Sequence, residues 1–348
     1  MNALLIKMSS MGDIFHTFPA ITDLARFRPE IKLDWVVEEG LADIAGWHPA
    51  IHRVVPVGLR RWMRQRDMKS WQEFSTWKQS FRVTPYDVLI DAQGLLKSAV
   101  IGRFAHTGLR HGYDHASARE PLACLFYDQR HSIARTLHAA QRTRQLFGKV
   151  FDYEPGIPLH FGLQQRFARV GKDHRKLIFV IGTSWVTKLW SPDHWQSLVH
   201  LATEGDFAVE LIWGSVDEQH LAQSIAAQCP GVVCSPRRLS ITEVAERLAS
   251  VAGVVGLDTG FTHLAGALET PTIGLFGPTS PINVGLIGAH TVNFQLSPAL
   301  DCMPCHKRHC RLLPNDSSGV PTCMSKINAE FVWHELMQKM DQKSPKES

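Results

Sequence analysis

Short runs of apolar residues alternate along the chain with stretches long enough to form amphipathic helices. In the first half the runs predict four β-strands, at Ala3–Ile6, Leu33–Val37, Arg53–Val57 and Val88–Ile90. The second half repeats the pattern, with strands predicted at Leu177–Ile181, Val209–Trp213, Gly253–Leu257 and Thr272–Phe276. Strands that alternate with helices form parallel sheets, because parallel neighbours need a crossover connection. The pattern therefore predicts an α/β protein with two Rossmann-like parallel-sheet domains facing each other across a cleft.

The turn-rich segment Tyr153–Pro158 separates the two series of predicted strands. A chain of 348 residues is also longer than one hydrophobic core usually organises. We therefore predict an N-terminal domain over residues 1–158 and a second domain over residues 159–326. Residues 327–348 are predicted to form a terminal helix, amphipathic over Ile327–Met340, followed by a polar tail.

Polar and small residues follow most of the predicted strands. Open parallel sheets bind ligands beyond the carboxyl ends of their strands, so these segments are the first candidates for a site. They are Ser9–Asp13, Glu38–Gly40, Asp91–Gly94, Gly182–Ser184, Gly214–Ser215, Asp258–Gly260 and Gly277–Thr279. Seven such loops indicate a site for two polar substrates.

Composition narrows the class of protein. The chain is 44% hydrophobic and 20% charged, which is typical of soluble globular proteins. No segment approaches the roughly 20 apolar residues of a membrane span, and the first residues do not resemble a signal peptide, so we expect a cytoplasmic protein. The net charge of +4 is modest and predicts no nucleic-acid partner.

The charge is unevenly distributed, because the segment Arg60–Arg82 contains seven Lys or Arg residues and two acids. Its stretch Arg61–Arg82 has helical spacing and includes Trp62, Trp71, Phe74 and Trp77. Such a helix could lie on an anionic membrane surface. It could equally be a helix that packs on the core and exposes a solvated basic face.

Asp13 lies where the first predicted strand gives way to a glycine-containing turn and a helix start. Backbone N–H groups exposed at such a position favour the ionised carboxylate. An ionised Asp13 could accept a proton from an attacking hydroxyl as a general base. The structural alternative is that Asp13 is simply a helix N-cap.

Two further candidates follow predicted strands in the second half. Thr183, Ser184 and Lys188 place hydroxyls and an ammonium before a helix that Ser191 could cap, a combination that suits a diphosphate leaving group. Asp258–His263 combines a strand end with a helix start whose amides could meet an anion. The alternatives are a solvated lysine in a surface loop and a core or capping histidine. The sequence contains no Gly-x-Gly-x-x-Gly, Walker A, His-Glu-x-x-His or Asp-x-Asp motif, which argues against dehydrogenases, P-loop kinases, zinc proteases and metal-bridged sugar diphosphates.

Several motifs in a fixed order resemble glycosyltransferase family 9. They are Lys7–Thr17, Asp34–Gly40, Arg60–Trp62, Asp91–Ser98, Ser117–Pro121 and Asp258–His263. The resemblance runs through most of the chain. It implies the GT-B fold and a metal-independent, inverting displacement in which a Kdo hydroxyl of Kdo-lipid A attacks the anomeric carbon of ADP-heptose. It also implies a cytoplasmic enzyme that contacts the inner-membrane surface peripherally and needs no cofactor for catalysis.

The resemblance also assigns residues to roles. Asp13 matches the catalytic base of the family. The positions that match donor-binding residues are Thr183, Ser184, Lys188, Glu218, Leu239, Asp258, Thr259, Gly260 and His263. The positions that match acceptor-binding residues are Ser10, Gly12, Arg60, Arg61, Gln93, Lys97 and Arg119. From its position alone, Glu218 could also be an ordinary solvated helix acid.

Four cysteines lie close together near the C-terminus, at Cys302, Cys305, Cys310 and Cys323. Their spacing could hold a structural zinc or iron ion in a thiolate site, or they could be reduced thiols in a loop. Three other functions remain open at this point: transfer to a heptose already present on the inner core, transfer to protein hydroxyls, and a non-catalytic protein that binds a nucleotide sugar.

Overall fold

The structure is a computed structural model that describes residues 1–156, 158–313 and 319–343, with Lys343 described by its backbone alone. The chain divides into two compact units, Met1–Leu163 and Gln164–Ser348, which we call unit 1 and unit 2. The sequence placed a domain boundary after residue 158. The predicted polar tail includes residues 344–348, which lie outside the described residues.

Unit 1 is built on a six-stranded parallel sheet in the order β3-β2-β1-β4-β5-β6. Its strands are β1 Asn2–Ile6, β2 Lys32–Glu38, β3 Ile51–Val57, β4 Pro85–Asp91, β5 His106–Tyr113 and β6 Gln129–His131. Its helices are α1 Met11–Phe15, α2 Phe18–Phe27, α3 Ala42–Ala45, α4 Leu59–Gln65, α5 Met68–Val83, α6 Leu96–Gly102 and α7 Ala139–Phe151. Two 3₁₀ helices, Glu39–Leu41 and Pro121–Phe126, complete the unit.

Unit 2 repeats this plan with the sheet order β12-β11-β10-β7-β8-β9, also parallel. Its strands are β7 Asp173–Val180, β8 Ala208–Ile212, β9 Val232–Cys234, β10 Val251–Leu257, β11 Thr272–Phe276 and β12 Thr291–Gln295. Its helices are α8 Gln164–Phe167, α9 Pro192–Glu204, α10 Val216–Gln228, α11 Ile241–Ser250, α12 Gly260–Ala267, α13 Pro281–Val284, α14 Thr322–Ser325 and α15 Ala329–Lys343. A 3₁₀ turn, Val186–Lys188, follows β7.

All eight strands that the hydrophobic pattern predicted are present, and the prediction of an α/β protein with two Rossmann-like sheets is confirmed. The pattern missed β5, β6, β9 and β12. β6 and β9 have three residues each, and β5 carries two histidines and an arginine. These segments form strands because a neighbouring strand offers its backbone groups for pairing, which local sequence does not reveal.

The single helix predicted over Arg61–Arg82 is wrong, because the segment forms two helices, α4 and α5. Arg66 adopts a left-handed conformation with φ of 52° and ends α4. Asp67 then caps α5, and its carboxylate accepts a hydrogen bond from the Ser70 amide at 2.8 Å. The aromatic face of α5 packs on the core of unit 1, where Phe74 and Trp77 contact the ring of Trp62.

Apolar side chains from strands and helices form a core in each unit. In unit 2 the core includes Trp190, which lies just before α9, and Trp195, which lies in the first turn of α9. As the sequence predicted, α9 begins at Pro192 and Ser191 is its N-cap. α15 supplies Val332 and Leu336 to the same core and contacts α9, β10 and β11. In the described part of the chain, no helix has the length and apolar character needed to cross a bilayer.

Candidate active site

In unit 1 the loops after the central strands β1 and β4 are joined by hydrogen bonds. The Gln93 side-chain amide accepts hydrogen bonds from the Met8 and Ser9 amides at 2.9 and 3.2 Å and donates one to the Ser9 carbonyl at 2.7 Å. Lys7 donates to the Ala92 carbonyl at 3.1 Å. The turn that carries Gln93 passes through Gly94, whose φ of +66° favours glycine. Gln93 was predicted to bind the acceptor, and the structure shows that its amide holds the first loop in place.

Asp13 lies in α1, directly beyond this junction. Ser10 donates to the Asp13 carboxylate through both its backbone N–H and its hydroxyl, each at 2.9 Å, so Asp13 belongs to the capping box of α1 and is not itself the N-cap. The Lys7 ammonium lies 3.6 Å from the other carboxylate oxygen. About a quarter of the side chain, 27%, stays exposed.

These contacts control the ionisation of Asp13. Burial raises the pKa of the carboxyl, but the Lys7 charge and the hydrogen bonds from Ser10 outweigh it and lower the pKa to about 2. Asp13 is therefore a carboxylate at neutral pH. A partly exposed carboxylate at the carboxyl edge of a parallel sheet can accept a proton from a bound hydroxyl.

The predicted acceptor cations differ in how strongly they are paired. Arg61 is neutralised by two acids, since its guanidinium contacts Glu39 at 2.8 Å and Glu73 at 2.5 Å. Arg60 is more exposed, with its Nε 3.9 Å from Glu38. Burial raises the pKa of Glu38, and the charges of Arg60 and Lys97 oppose this rise. Because both charges act on Glu38, the starts of α4 and α6 lie near this one carboxyl group.

The two remaining acceptor positions, Arg119 and Gly12, lie on the same edge of the sheet. Arg119 is exposed and precedes the 3₁₀ helix Pro121–Phe126, whose flanking Glu120 accepts a hydrogen bond from the Leu96 amide at 2.7 Å. Gly12 is the second residue of α1. The structure thus brings the unit 1 candidates to the loops that follow β1, β3, β4 and β5.

In unit 2, Lys188, Asp258 and His263 form one cluster at the carboxyl ends of β7 and β10. The Lys188 ammonium donates to the Asp258 carboxylate at 2.7 Å and to its backbone carbonyl at 3.1 Å. His263 lies 3.1 Å from the second carboxylate oxygen, and Thr279, which follows β11, donates to the first at 2.6 Å. Burial raises the pKa of Asp258, but His263 and Lys188 lower it more, so Asp258 stays ionised.

The other donor candidates surround this cluster. Thr259 is the N-cap residue of α12 and Gly260 its first residue, so backbone N–H groups of the first turn face the strand edge. Thr183 and Ser184 follow β7, and Leu239 is buried before α11.

Glu218 has a local structural role. One of its carboxylate oxygens accepts hydrogen bonds from the amides of Gly214 and Ser215 at 2.7 and 3.2 Å, which completes the capping box of α10. The same carboxylate fills the space beside Gly182, where an added Cβ would lie 2.2 Å from it. The Glu218 carboxylate is thus held by the loop after β8 and packs against the loop after β7, next to Thr183.

Several residues that contact the candidate site residues received no individual role from the sequence. Lys7 contacts Asp13, Thr279 completes the Asp258 cluster, and the ring of Trp185 lies between two cations, 4.7 Å from the Lys188 ammonium and 5.2 Å from the Arg308 guanidinium. Thr279 belongs to the candidate segment Gly277–Thr279, and Lys7 directly follows a predicted strand, so the rule that selected the other candidates also covers these two residues. The position of Arg308 depends on a long irregular segment with no such signal.

The structure does not support the predicted structural zinc or iron site. Cys302, Cys310 and Cys323 line one cavity, and burial, together with the neighbouring Cys310, Cys305 and Cys302, raises the pKa of Cys323 to about 11. Cys323 is nevertheless a core residue of α14 that packs against Gly277, whereas Cys302 is exposed. Within residues 1–156, 158–313 and 319–343, no three His, Cys, Asp or Glu side chains form a group that could hold a metal ion.

Solved structures with the same architecture define the class of protein. The chain superimposes on the structure of Escherichia coli heptosyltransferase WaaC with ADP with a TM-score of 0.84, at 35% identity, over 97% of this chain and all of that one. The structure of the same E. coli enzyme with ADP-2-deoxy-2-fluoro heptose matches with a TM-score of 0.78, at 39% identity, over 84% of this chain and 92% of that one. Two Rossmann-like sheets of this kind, with the predicted residues at their strand ends, define a glycosyltransferase of the GT-B class.

Sequence comparison gives the family. The family model for glycosyltransferase family 9 (heptosyltransferase) matches residues 75–315. Lipopolysaccharide heptosyltransferase 1 of Pseudomonas aeruginosa is 40% identical over 97% of both chains. The chain belongs to glycosyltransferase family 9. The resemblance drawn from the motifs is therefore confirmed. The protein is a glycosyltransferase, which excludes the alternative of a non-catalytic protein that binds a nucleotide sugar.

Proposed function

We propose that the enzyme transfers L-glycero-D-manno-heptose from ADP-heptose to Kdo of Kdo-lipid A, a step in the synthesis of the lipopolysaccharide inner core. The observation that carries this proposal is the 40% identity to a lipopolysaccharide heptosyltransferase 1 over 97% of both chains. The structural match to an enzyme solved with an ADP-heptose analogue supports the donor. The charges in unit 1 suit an acceptor that bears carboxylates and phosphates.

The proposed reaction is a single displacement. A Kdo hydroxyl attacks the anomeric carbon of the heptose, the bond from that carbon to ADP breaks, and the configuration at the carbon inverts. Asp13 takes the proton of the attacking hydroxyl, because its carboxylate is ionised at neutral pH. Ser10 orients that carboxylate, and Gln93 fixes the loop from which Ser10 projects. Arg60, Lys97 and Arg119 attract the anionic acceptor.

The donor half of the reaction needs positive charge where ADP leaves. Lys188 supplies it, with hydroxyls from Thr183 and Ser184 and the first-turn amides of α12. Asp258 positions the Lys188 ammonium and His263, because it contacts both. No catalytic metal enters the proposal, since the chain lacks the Asp-x-Asp motif that would bridge one to a sugar diphosphate.

We further propose that the enzyme acts in the cytoplasm, as a peripheral protein on the inner-membrane surface. The proposed acceptor is a lipid, so its sugar head group is presented at a membrane surface. The excess of basic residues between Arg60 and Arg82 supports contact with anionic lipid.

Substitution of Lys7 by methionine tests how Asp13 is kept ionised. Burial raises the pKa of Asp13, and without the Lys7 ammonium only its remaining partners, such as Ser10, oppose this effect. The pKa of Asp13 therefore rises from about 2. We expect the acidic limb of the kcat/KM profile to move upward by about 1–3 pH units, the usual effect of one close opposite charge. Lys32→Met, at an exposed lysine of β2, serves as the matched control. An acidic limb that does not move in Lys7→Met would contradict this role.

A donor and acceptor panel tests the proposed function. ADP or the corresponding nucleotide release is measured with ADP-heptose, UDP-sugars and GDP-sugars, each with and without Kdo-lipid A. Release that occurs only with ADP-heptose and depends on Kdo-lipid A supports the proposal. Turnover only on an acceptor that already carries heptose would assign the enzyme to a later step of core assembly. Turnover only on a protein acceptor would show that the substrate is a protein and not Kdo-lipid A.

A further inference from the structure

Four apolar side chains of unit 1 are exposed on two elements that pack together. Leu96 and Val100 of α6 are each 38% exposed, and Leu122 and Leu125 of the 3₁₀ helix Pro121–Phe126 are 62% and 73% exposed. α6 and this 3₁₀ helix are in contact, and the Leu96 amide donates to Glu120 at 2.7 Å. We call these four residues the α6 patch.

The spacing of the four residues places each pair on one face of its helix. Leu96 and Val100 are four residues apart in an α-helix, and Leu122 and Leu125 are three apart in a 3₁₀ helix. Other faces of the two helices are buried in unit 1. The buried residues are Ala99 and Ile101 on α6, and Ala123 and Cys124 on the 3₁₀ helix. The α6 patch is therefore additional to the core.

The charges around the α6 patch are mainly positive. Lys97 is the second residue of α6, Arg103 is its C-cap, and Arg119 precedes the 3₁₀ helix, with Arg103 and Arg119 exposed. An acid beside the patch, Glu120, has a carboxylate oxygen committed to the Leu96 amide. Apolar side chains surrounded by Lys and Arg are the pattern of protein surfaces that lie in the interface of an anionic bilayer.

The α6 patch is continuous with the proposed acceptor residues. Lys97 lies between Leu96 and Val100 in α6, and Arg119 lies three residues before Leu122. Lys97 is also close enough to Glu38 to affect its pKa, as is Arg60, so the patch borders the basic edge of unit 1. An acceptor whose head group reaches Lys97 and Arg119 would bring the bilayer that holds its lipid anchor against this surface.

We propose that the α6 patch docks unit 1 on an anionic phospholipid bilayer, with Leu122 and Leu125 inserted among the head groups. The inference rests on the proposed function in one respect, the lipid nature of the acceptor. It places the contact on a surface other than Arg61–Arg82, for which the sequence left open either a helix on the membrane or a helix that packs on the core with a solvated basic face. That segment also exposes apolar side chains, at Met63, Met68 and Trp71.

Vesicle binding without donor or acceptor tests the proposal independently of catalysis. Wild-type protein is co-sedimented with vesicles of phosphatidylethanolamine and phosphatidylglycerol, and with neutral phosphatidylcholine vesicles. We expect binding to the anionic vesicles, a weaker association with the neutral ones, and a loss of about tenfold or more in the partition coefficient of Leu122→Ser/Leu125→Ser. The matched control is Val83→Ser, which removes a side chain that is 78% exposed just before β4, at the end of that strand opposite Asp91.

A second readout separates docking from chemistry. The double variant should transfer heptose to a deacylated, water-soluble acceptor at the wild-type rate and lose activity on vesicle-embedded Kdo-lipid A. If the wild type transfers no heptose to either acceptor, the proposed function fails, while the vesicle result still decides the docking surface.

Three outcomes overturn the proposal. The first is that wild-type protein fails to bind anionic vesicles, and the second is that the double variant binds them as tightly as the wild type. In the second case, loss of binding in Met68→Ser/Trp71→Ser would assign docking to the N-terminal turn of α5. The third is a dimer, detected by light scattering, that Leu122→Ser/Leu125→Ser abolishes, because the patch would then be covered by a second copy of the chain.

Discussion

Replacement of Asp13 by asparagine is expected to lower kcat by about 10²–10⁴-fold, the usual contribution of a general base. Asparagine keeps an oxygen that can accept the two hydrogen bonds from Ser10, so the capping box of α1 and the fold of unit 1 should persist. It cannot take a proton from the acceptor hydroxyl. The measurement is the steady-state rate of ADP release with saturating ADP-heptose and Kdo-lipid A.

Binding and folding controls isolate the chemical role of Asp13. ADP binding by calorimetry should be nearly unchanged in Asp13→Asn, because the residue lies in unit 1 and the proposed donor residues lie in unit 2. Asp43→Asn, at an exposed aspartate of α3, should retain wild-type activity and a wild-type melting temperature. If Asp13→Asn turned over at the wild-type rate, another group would have to be the base.

Substitution of Lys188 by methionine is expected to lower kcat/KM by about 10²–10³-fold, comparable with the loss of one donor to a developing anion. The variant removes the ammonium proposed to stabilise ADP as it leaves. Methionine preserves much of the apolar stem beside Trp185. Affinity for ADP, measured by calorimetry, should fall in the same variant, because the diphosphate is bound before and after the reaction.

Lys188 also pairs with a buried carboxylate, so its structural and chemical contributions must be separated. The matched control is Lys176→Met, because Lys176 lies 2.8 Å from the buried carboxylate of Glu210 and belongs to β7, away from the strand end. Both variants should lose some stability in thermal unfolding, since each leaves a buried acid with fewer partners. Only Lys188→Met should lose activity. Equal losses of activity in Lys188→Met and Lys176→Met would show that Lys188 has a structural role and does not stabilise the departing ADP.

Much of the fold could be predicted from hydrophobic pattern because the central strands of both sheets are buried on both faces. β1, β4, β7 and β10 each contain a short buried apolar run, at Ala3–Ile6, Val88–Ile90, Leu177–Val180 and Val251–Leu257, which is the signal that sequence analysis detects best. The short strand β9, by contrast, is determined by pairing with β8. The break between α4 and α5 depends on one left-handed residue, Arg66, in a segment with otherwise regular helical spacing.

The grouping of the candidate residues at one edge of each sheet could be predicted, because the carboxyl ends of parallel strands lie on one edge of a sheet. The contacts among these residues could not be predicted. Asp258 pairs with Lys188, 70 residues away, and Gln93 contacts a loop 84 residues before it. These pairings follow from strand order and side-chain packing. The cysteine spacing suggested a metal site because the four residues lie close together in sequence. Spacing in sequence does not reveal that Cys323 is buried in the core while Cys302 is exposed.

The most direct test of the account is mass spectrometry of Kdo-lipid A after incubation with the purified enzyme and ADP-heptose. The account predicts that the acceptor gains the mass of one heptose residue, that ADP forms in equal amount, and that both form at least about 100-fold more slowly with Asp13→Asn. An unmodified acceptor in the presence of ADP release, or a heptose found on a different acceptor, would contradict it.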